Sequence, residues 1–411
     1  MPRLTTVRTA LVLSVCIAAS ASEGQTFTTL ATFDGANGES PYYGSLAEDA
    51  NGNFYGTTLS GGDASTSCSN GQGYDCGTIF RITPDGALTT IYTFCSAFDC
   101  NDGISPDAGL ILGANGNFYG TTSFGGADFT GGTVFEITPT GTLTTLYNFC
   151  AQLNCTDGSY PYSQLVQSSN GTIYGTTLDG GANNQGTVFQ ITASGTFSVL
   201  YSFCSKTNCA DGSLPFAALT VGSNGELYGT TEYGGAANAG TVFAITTSGK
   251  LTTLHSFSFA DGAYPFSAVA QSSNGIFYGT TSAGGLRDAG TVFEMSANGK
   301  LKTIYNFCQS NGCADGATPQ AALTKGGNGG FYGTTFAGGS HSRGTVFEVS
   351  ASGKLKTLYS FCSKVNCEDG ANPYSGVAEA SDGTLYGTTF NGGLLSCSSP
   401  YGCGMVFSLV P

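Results

Sequence analysis

Along almost the whole chain, runs of Val, Ile, Thr, Tyr and Phe alternate with clusters of Gly, Asn, Asp and Ser. The runs have the length of strands, and no segment after the N-terminus carries a 3.6-residue helical period. Residues 157–203 show the pattern. Gln164-Leu165-Val166 leads into Asn170-Gly171, then Ile173-Tyr174-Gly175-Thr176-Thr177. After Gly180-Gly181 come Gly186-Thr187-Val188-Phe189-Gln190-Ile191, the turn Ser194-Gly195, and Phe197 to Phe203. This reads as four strands, A to D. Asn170-Gly171 is a hairpin signal, because a type I′ turn needs positive φ at both central residues. Thr187, Phe189 and Ile191 should share one face of strand C, and Phe197, Val199, Tyr201 and Phe203 one face of strand D.

The unit repeats. Tyr-Gly-Thr-Thr starts at Tyr55, Tyr119, Tyr174, Tyr228, Tyr278, Tyr332 and Tyr386, at intervals of 64, 55, 54, 50, 54 and 54 residues. A four-stranded antiparallel unit of this length, present seven times, predicts an all-β, seven-bladed β-propeller. The repeated Tyr and Phe are expected to pack blade against blade, and the Gly after each Tyr to permit a close backbone approach.

The run Tyr-Gly-Thr-Thr, Gly-Gly, Gly-Thr-Val-Phe, a Gly-ended turn and Leu-Thr-Thr-Leu-Tyr resembles the GloVer (Gloeo_Verruco) tandem-repeat family of bacterial secreted and surface proteins. The resemblance covers nearly the whole chain and all seven copies. It implies a propeller. Similar chains often end in a sorting or anchor segment; Phe407-Ser408-Leu409-Val410-Pro411 has no such character, so no anchoring is expected from it.

Residues 1–21 read as a secretory signal. Arg3 and Arg8 precede the apolar stretch Ala10 to Ala19, and Ala19-Ser20-Ala21 fits a cleavage site. A lipoprotein reading through Cys16 is disfavoured by Val15. Residues 22–411 form one propeller domain in this reading. Phe27 to Phe33 is a D strand with no A, B or C before it, and the seventh unit has A, B and C but no D. The N-terminal strand is therefore expected to pair with the last blade, closing the ring and removing its open edge.

Fourteen cysteines remain after Cys16, and they fall into local pairs: Cys68/Cys76, Cys95/Cys100, Cys150/Cys155, Cys204/Cys209, Cys308/Cys313, Cys362/Cys367 and Cys397/Cys403. The unit around His255 lacks both members of its pair and is shorter. Loss as a pair argues for disulfides in an exported protein. Zinc is the rival, but it needs four converging ligands. No cofactor or resident metal is expected.

Strands alternate in direction, so the D–A and B–C connections share one face of the ring. They hold all fourteen cysteines and the length variation, and variable loops on a rigid scaffold are where binding resides. The candidate ligand-binding residues there are Tyr74, Asp75, Arg287, Asp288, His341, Arg343 and Tyr401. Asp102, Asp157, Asp211, Asp261, Asp315 and Asp369 recur at equivalent Asp-Gly turns, with Asn37 in the seventh position. They read first as turn-forming residues and second as a ring of carboxylates open to a cation.

The net charge is −14, or −16 without Arg3 and Arg8, which disfavours nucleic acid and anionic membranes as partners. No membrane insertion is expected after signal removal. The expected protein is a secreted or surface-exposed monomer, a non-enzymatic binding scaffold for a glycan or an extracellular protein. An aromatic cluster on the loop face favours that reading. A central pocket with His, Arg or paired acids favours a polysaccharide lyase or hydrolase using Tyr401, His341 or Arg343. A flat polar face favours a structural envelope or matrix role.

Overall fold

A computed structural model describes residues 25–62, 76–95, 100–127, 131–395, 397 and 401–411. The expected signal, Cys68, Tyr74 and Asp75 lie outside the described residues. The strands form seven four-stranded antiparallel sheets, each ordered A-B-C-D. In the third blade the strands are Val166–Gln167, Ile173–Thr177, Thr187–Ile191 and Phe197–Ser202. The last blade takes its D strand from the N-terminus. Thr26–Thr32 pairs antiparallel with Met405–Val410, with Thr26 opposite Val410 and Thr32 opposite Met405. The ring closes as its two incomplete ends required.

The repeated motifs divide the packing between them. Each Tyr of Tyr-Gly-Thr-Thr is buried, and several stack on an aromatic of the next blade: Tyr55 on Phe118 and Tyr228 on Phe277, both with ring centroids 4.1 Å apart. Phe54 stacks on Tyr386 at 4.1 Å, which is the same contact made across the closure. The first Thr donates its hydroxyl to a carbonyl at the start of the next blade, as Thr176 does to Ala217 at 3.1 Å. The second Thr pairs with the Thr of strand C, Thr177 with Thr187 at 2.8 Å. The Gly between Tyr and Thr admits an aromatic ring rather than backbone. A Cβ at Gly175 would lie 2.5 Å from the Phe189 ring. Val188, Phe189 and Ile191 are fully buried, each contributing roughly 1.5–3 kcal/mol.

Strand D departs from simple alternation. Phe189 opposes Val199 but Val188 opposes Tyr201, so Leu200 is an extra residue in a bulge. The expected common face of Phe197, Val199, Tyr201 and Phe203 is broken there. Phe197 packs with Tyr147 and Phe149 of the preceding blade, whereas Leu200, Tyr201 and Phe203 pack with Leu219 and Phe243 of the following one. One inserted residue lets strand D serve both neighbours.

Six disulfides have both cysteines among the described residues: Cys95–Cys100, Cys150–Cys155, Cys204–Cys209, Cys308–Cys313, Cys362–Cys367 and Cys397–Cys403. The expected Cys68–Cys76 pairing is not one of these six, because Cys68 lies outside the described residues. Cys76 itself is disulfide-bonded. It is fully buried where the first B–C loop returns to strand C, packed with Phe94, Cys95 and Cys100. Its carbonyl accepts from the Ser105 amide of the next blade at 3.2 Å. Several disulfides in one chain fit an extracellular environment. Among the described residues no helix is long and apolar enough to cross a membrane.

Candidate functional site

The carboxylates of the Asp-Gly turns are occupied by the protein itself. The phenol of a strand D tyrosine donates to each: Tyr92 to Asp102 at 2.8 Å, Tyr147 to Asp157 at 2.8 Å, Tyr201 to Asp211 at 2.7 Å, Tyr305 to Asp315 at 2.9 Å and Tyr359 to Asp369 at 2.6 Å. Loop amides complete the shell, as those of Ser205 and Lys206 do at Asp211. In the fourth blade, whose connection to the fifth is shortened, His255 replaces the tyrosine and sits 2.9 Å from Asp261. In the closing blade Ala31 stands where the tyrosine would be and Asn37 where the aspartate would be. Both partners are absent together. Burial pushes the Asp211, Asp315 and Asp369 carboxyls up, but these hydrogen bonds hold them below the usual range. Among the described residues no group of three or more His, Cys, Asp or Glu converges to hold a metal. The turn reading accounts for this ring.

A different ring surrounds the axis. Each strand A is entered through a proline, and the residue before it has positive φ: Ser40, Ser105, Tyr160, Leu214, Tyr264, Thr318 and Asn372, at 53–57°. The position is strained for a non-glycine residue and disfavoured before proline. Hydrogen bonds on both sides hold it. The Tyr160 amide donates to Gly131 of the preceding blade at 3.0 Å, and its carbonyl accepts from Leu178 at 2.9 Å. At the closure the Ser40 amide donates to Cys403 at 2.8 Å in the same way. The glycine before strand C supports the next proline. Gly186 has φ +90°, and a Cβ there would press within 2.5 Å of Pro215.

This scaffold aims the residue after each proline at the axis. The seven are Tyr42, Asp107, Tyr162, Phe216, Phe266, Gln320 and Tyr374. Unlike the blade core, they vary. Tyr42, Asp107, Tyr162, Phe216 and Tyr374, with Phe124 and Phe390 from the ends of strand B, line a cup of about 560 Å³. Their places before strand A and after strand B put the cup on the D–A/B–C face. A second cavity of about 70 Å³ lies one residue further along the A strands, between Ser163, Ala217, Ser267 and Ala321, and includes Gln320.

The cup's floor comes from an insertion. Blade 1 has four residues between Pro41 and Leu46, whereas blade 3 has three between Pro161 and Leu165. The extra length sends Tyr43 across the axis. Its ring meets Phe216 of blade 4 edge-on at 4.6 Å, lies 5.4 Å from Tyr374, and its hydroxyl is 3.0 Å from that of Tyr42. Tyr43, Tyr162 and Phe216 line both cavities and separate them. The Tyr43 amide donates to the Asp107 carbonyl at 2.9 Å.

Asp107 breaks the aromatic ring with a carboxylate. It is 2% exposed, and its Oδ2 has no hydrogen-bond partner among the described residues. Burial, only partly offset by a hydrogen bond from Ser123, pushes its carboxyl up to about 7. Gln320 Oε1, in the second cavity, is likewise buried and has no hydrogen-bond partner among the described residues. Burial also pushes up the phenols of Tyr42, Tyr43, Tyr162 and Tyr374. No His, Lys or Arg is among the described residues lining the cup.

The residues singled out from the sequence lie away from the axis. Arg343 and Tyr401 line a shallow cavity of about 190 Å³ together with Asn366, Asn372, Asn391 and Leu395. His341 is exposed at the turn before Arg343 and is not part of it. Arg287 and Asp288 are exposed on another B–C turn, where Asp288 accepts from the Gly284 amide at 2.8 Å. The axial ring was missed, although its signal was available: the residue after the repeated proline varies while its surroundings recur, and blade 1 carries an extra residue there.

Fold and site together define a seven-bladed β-propeller with an aromatic axial cup on its loop-bearing face. The chain belongs to the Gloeobacter/Verrucomicrobia repeat family, whose model matches residues 19–221 and 205–407. No protein of curated function matches it. Among solved structures it is similar to a Bacteroides uniformis protein provisionally described as a 6-phosphogluconolactonase. The two are 15% identical, with a TM-score of 0.50 over 84% of this chain and 98% of that one. It is also similar to a gluconolactonase of Xanthomonas campestris, at 12% identity and a TM-score of 0.43 over 76% and 86%. A luciferin-regenerating enzyme matches at 12% identity and a TM-score of 0.44, over 94% and 96%. At such identities the first of these shows the fold alone, and the other two carry no argument.

Proposed function

We propose that this protein is an exported, non-enzymatic binding propeller that seats the end of a glycan in the axial cup of its D–A/B–C face. The observation that carries the reading is the cup itself. Tyrosine and phenylalanine rings offer stacking faces to a sugar, and the phenols and Ser60 and Ser105 offer hydrogen bonds around it. The shallow cavity at Arg343 and Tyr401 lies on the same face, where a longer chain leaving the cup would have a second contact. Export rests on residues 1–21 and on the disulfides.

The test is a glycan array and a polysaccharide-depolymerisation assay on oxidised residues 22–411, alongside the Tyr374→Ala variant. Binding without product, weakened at least tenfold in the variant, is the expected result. Binding that the variant leaves unchanged would remove the cup from the reading.

A second reading, a carbohydrate-active enzyme, is favoured by one observation. A carboxyl pushed up to about 7 suits a general acid or base at neutral pH. It moves the candidate chemistry from His341, Arg343 and Tyr401 to Asp107. Oligosaccharide release that is lost in Asp107→Asn would establish it.

A further inference from the structure

We propose that the axial cup selects a ligand carrying an organic ammonium group, either the free amine of an amino sugar or a small quaternary ammonium compound. The proposal rests on the cup being the ligand site and adds which ligands it takes.

Three observations carry it. The first is the wall. Tyr42, Tyr43, Tyr162, Phe216, Tyr374 and Phe390 surround a space of about 560 Å³. Several meet edge to face rather than stacked, Tyr42 with Tyr374 at 4.6 Å and Tyr374 with Phe390 at 5.2 Å. In each such pair the edge-on ring keeps both faces uncovered by its partner, and ring faces attract cations.

The second is charge. Asp107 is the one carboxylate among the described residues lining the cup, and no Lys, Arg or His lines it. Its Oδ2 has no partner among the described residues. A buried carboxylate without a counter-charge is costly. A cation held against the rings would supply the counter-charge to a carboxylate that is itself only 2% exposed.

The third is position. Asp107 occupies a place that is aromatic or amide in every other blade: Tyr42, Tyr162, Phe216, Phe266, Gln320 and Tyr374. A residue kept only for entering strand A has no need of a charge there. A neutral glycan would use its oxygens as hydrogen-bond acceptors, whereas an ammonium group would use its charge as well.

The groups that face Asp107 are the Ser123 hydroxyl and the phenols of Tyr42, Tyr43 and Tyr162. Burial pushes all three phenols up, so none ionises near neutrality. Within this set Asp107 alone changes charge between pH 5.5 and 8. Affinity for a permanent cation should therefore rise across that range.

The experiment is calorimetric titration of the oxidised chain with three probes: a glucosamine trimer, its fully N-acetylated counterpart, and tetramethylammonium. At pH 7, where the sugar ammonium groups and Asp107 are both partly charged, the free-amine trimer should bind at least tenfold more tightly than the acetylated one. Asp107→Asn, which keeps the side chain's shape, should bring the two to parity while leaving any affinity for the acetylated trimer. Tetramethylammonium, whose charge does not vary with pH, should bind at least fivefold more tightly at pH 8 than at pH 5.5, and Asp107→Asn should abolish that dependence. Phe216→Ala tests the wall and should weaken every probe. Equal or tighter binding of the acetylated trimer would overturn the ammonium proposal and leave the glycan reading standing. Binding of tetramethylammonium alone would support the proposal in its quaternary ammonium form and overturn the amino-sugar form. No binding of any probe would overturn the ammonium proposal and leave the glycan reading to the array.

Discussion

Tyr43 of blade 1 and Phe216 of blade 4 meet edge to face near the axis, ring centroids 4.6 Å apart, although 173 residues of chain separate them. No contact between neighbouring blades does this. It turns the open channel of a ring into a cup with a floor. Tyr43→Ala should join the two cavities and cost about 1.5–4.5 kcal/mol, from the lost aromatic pairs with Phe216, Tyr374 and Tyr42. Thermal unfolding measures the cost. A crystal structure of the variant should show one continuous axial cavity; a side chain refilling the gap would disprove the floor role.

The insertion that delivers Tyr43 depends on Gly44. A Cβ at Gly44 would lie 1.8 Å from the Gly109 amide nitrogen, and one at Gly109 would lie 2.5 Å from the Ser45 carbonyl. The obstacle is backbone, which cannot rotate away. Gly44→Ala should cost more than about 3 kcal/mol or prevent folding. Gly171→Asn, at a turn where nothing lies within 4 Å and φ is +86°, should stay within about 1 kcal/mol. Denaturant unfolding of the two variants separates close approach from a general demand for glycine.

Asp107 has a pH signature in stability. Its folded carboxyl is raised to about 7 by burial, above its unfolded value. Between about pH 4 and 7 the unfolded chain has lost this proton while the folded one keeps it, so stability falls as pH rises through that window. Above it the loss is complete, at up to roughly 4 kcal/mol. Asp107→Asn removes the titration. The variant should gain on the wild type steadily from pH 4 to 8, read as a widening difference in Tm. A constant difference would mean that the carboxyl is not raised.

The Tyr201–Asp211 bond predicts the opposite slope. Hydrogen bonds hold the Asp211 carboxyl below its usual value against the upward push of burial. The stability it contributes is present above the unfolded value, near pH 4, and is lost as pH falls through the folded one. Tyr201→Phe removes one donor at 2.7 Å. It should cost about 1.5–3 kcal/mol at neutral pH, and the cost should shrink toward pH 2. Equilibrium unfolding at both pH values checks it.

The local rules were legible because each is satisfied within one repeat. Tyr-Gly-Thr-Thr, the Asn-Gly turns and the seven-fold count specify strands and blades, and the unmatched strand Phe27 to Phe33 specifies closure. The cysteine spacings specify bridges that close loops of a few residues. In each case the partners are near in sequence or identical from blade to blade. The Leu200 bulge escaped because an extra residue in strand D shows only once its pairing with strand C is known.

The site was not legible for the same reason in reverse. Sequence pattern pointed to the long loops and to Arg343 and Tyr401, which do share a cavity. In the sequence Asp107 is one polar residue after a proline. Only the closed ring brings it among Tyr42, Tyr43 and Tyr162, buries it and leaves Oδ2 without a partner among the described residues. Repetition along the chain determined the blades, because the blades are built from local and nearest-neighbour contacts. What fills the axis was decided by the tertiary structure, because the axis is the one place where all seven blades converge.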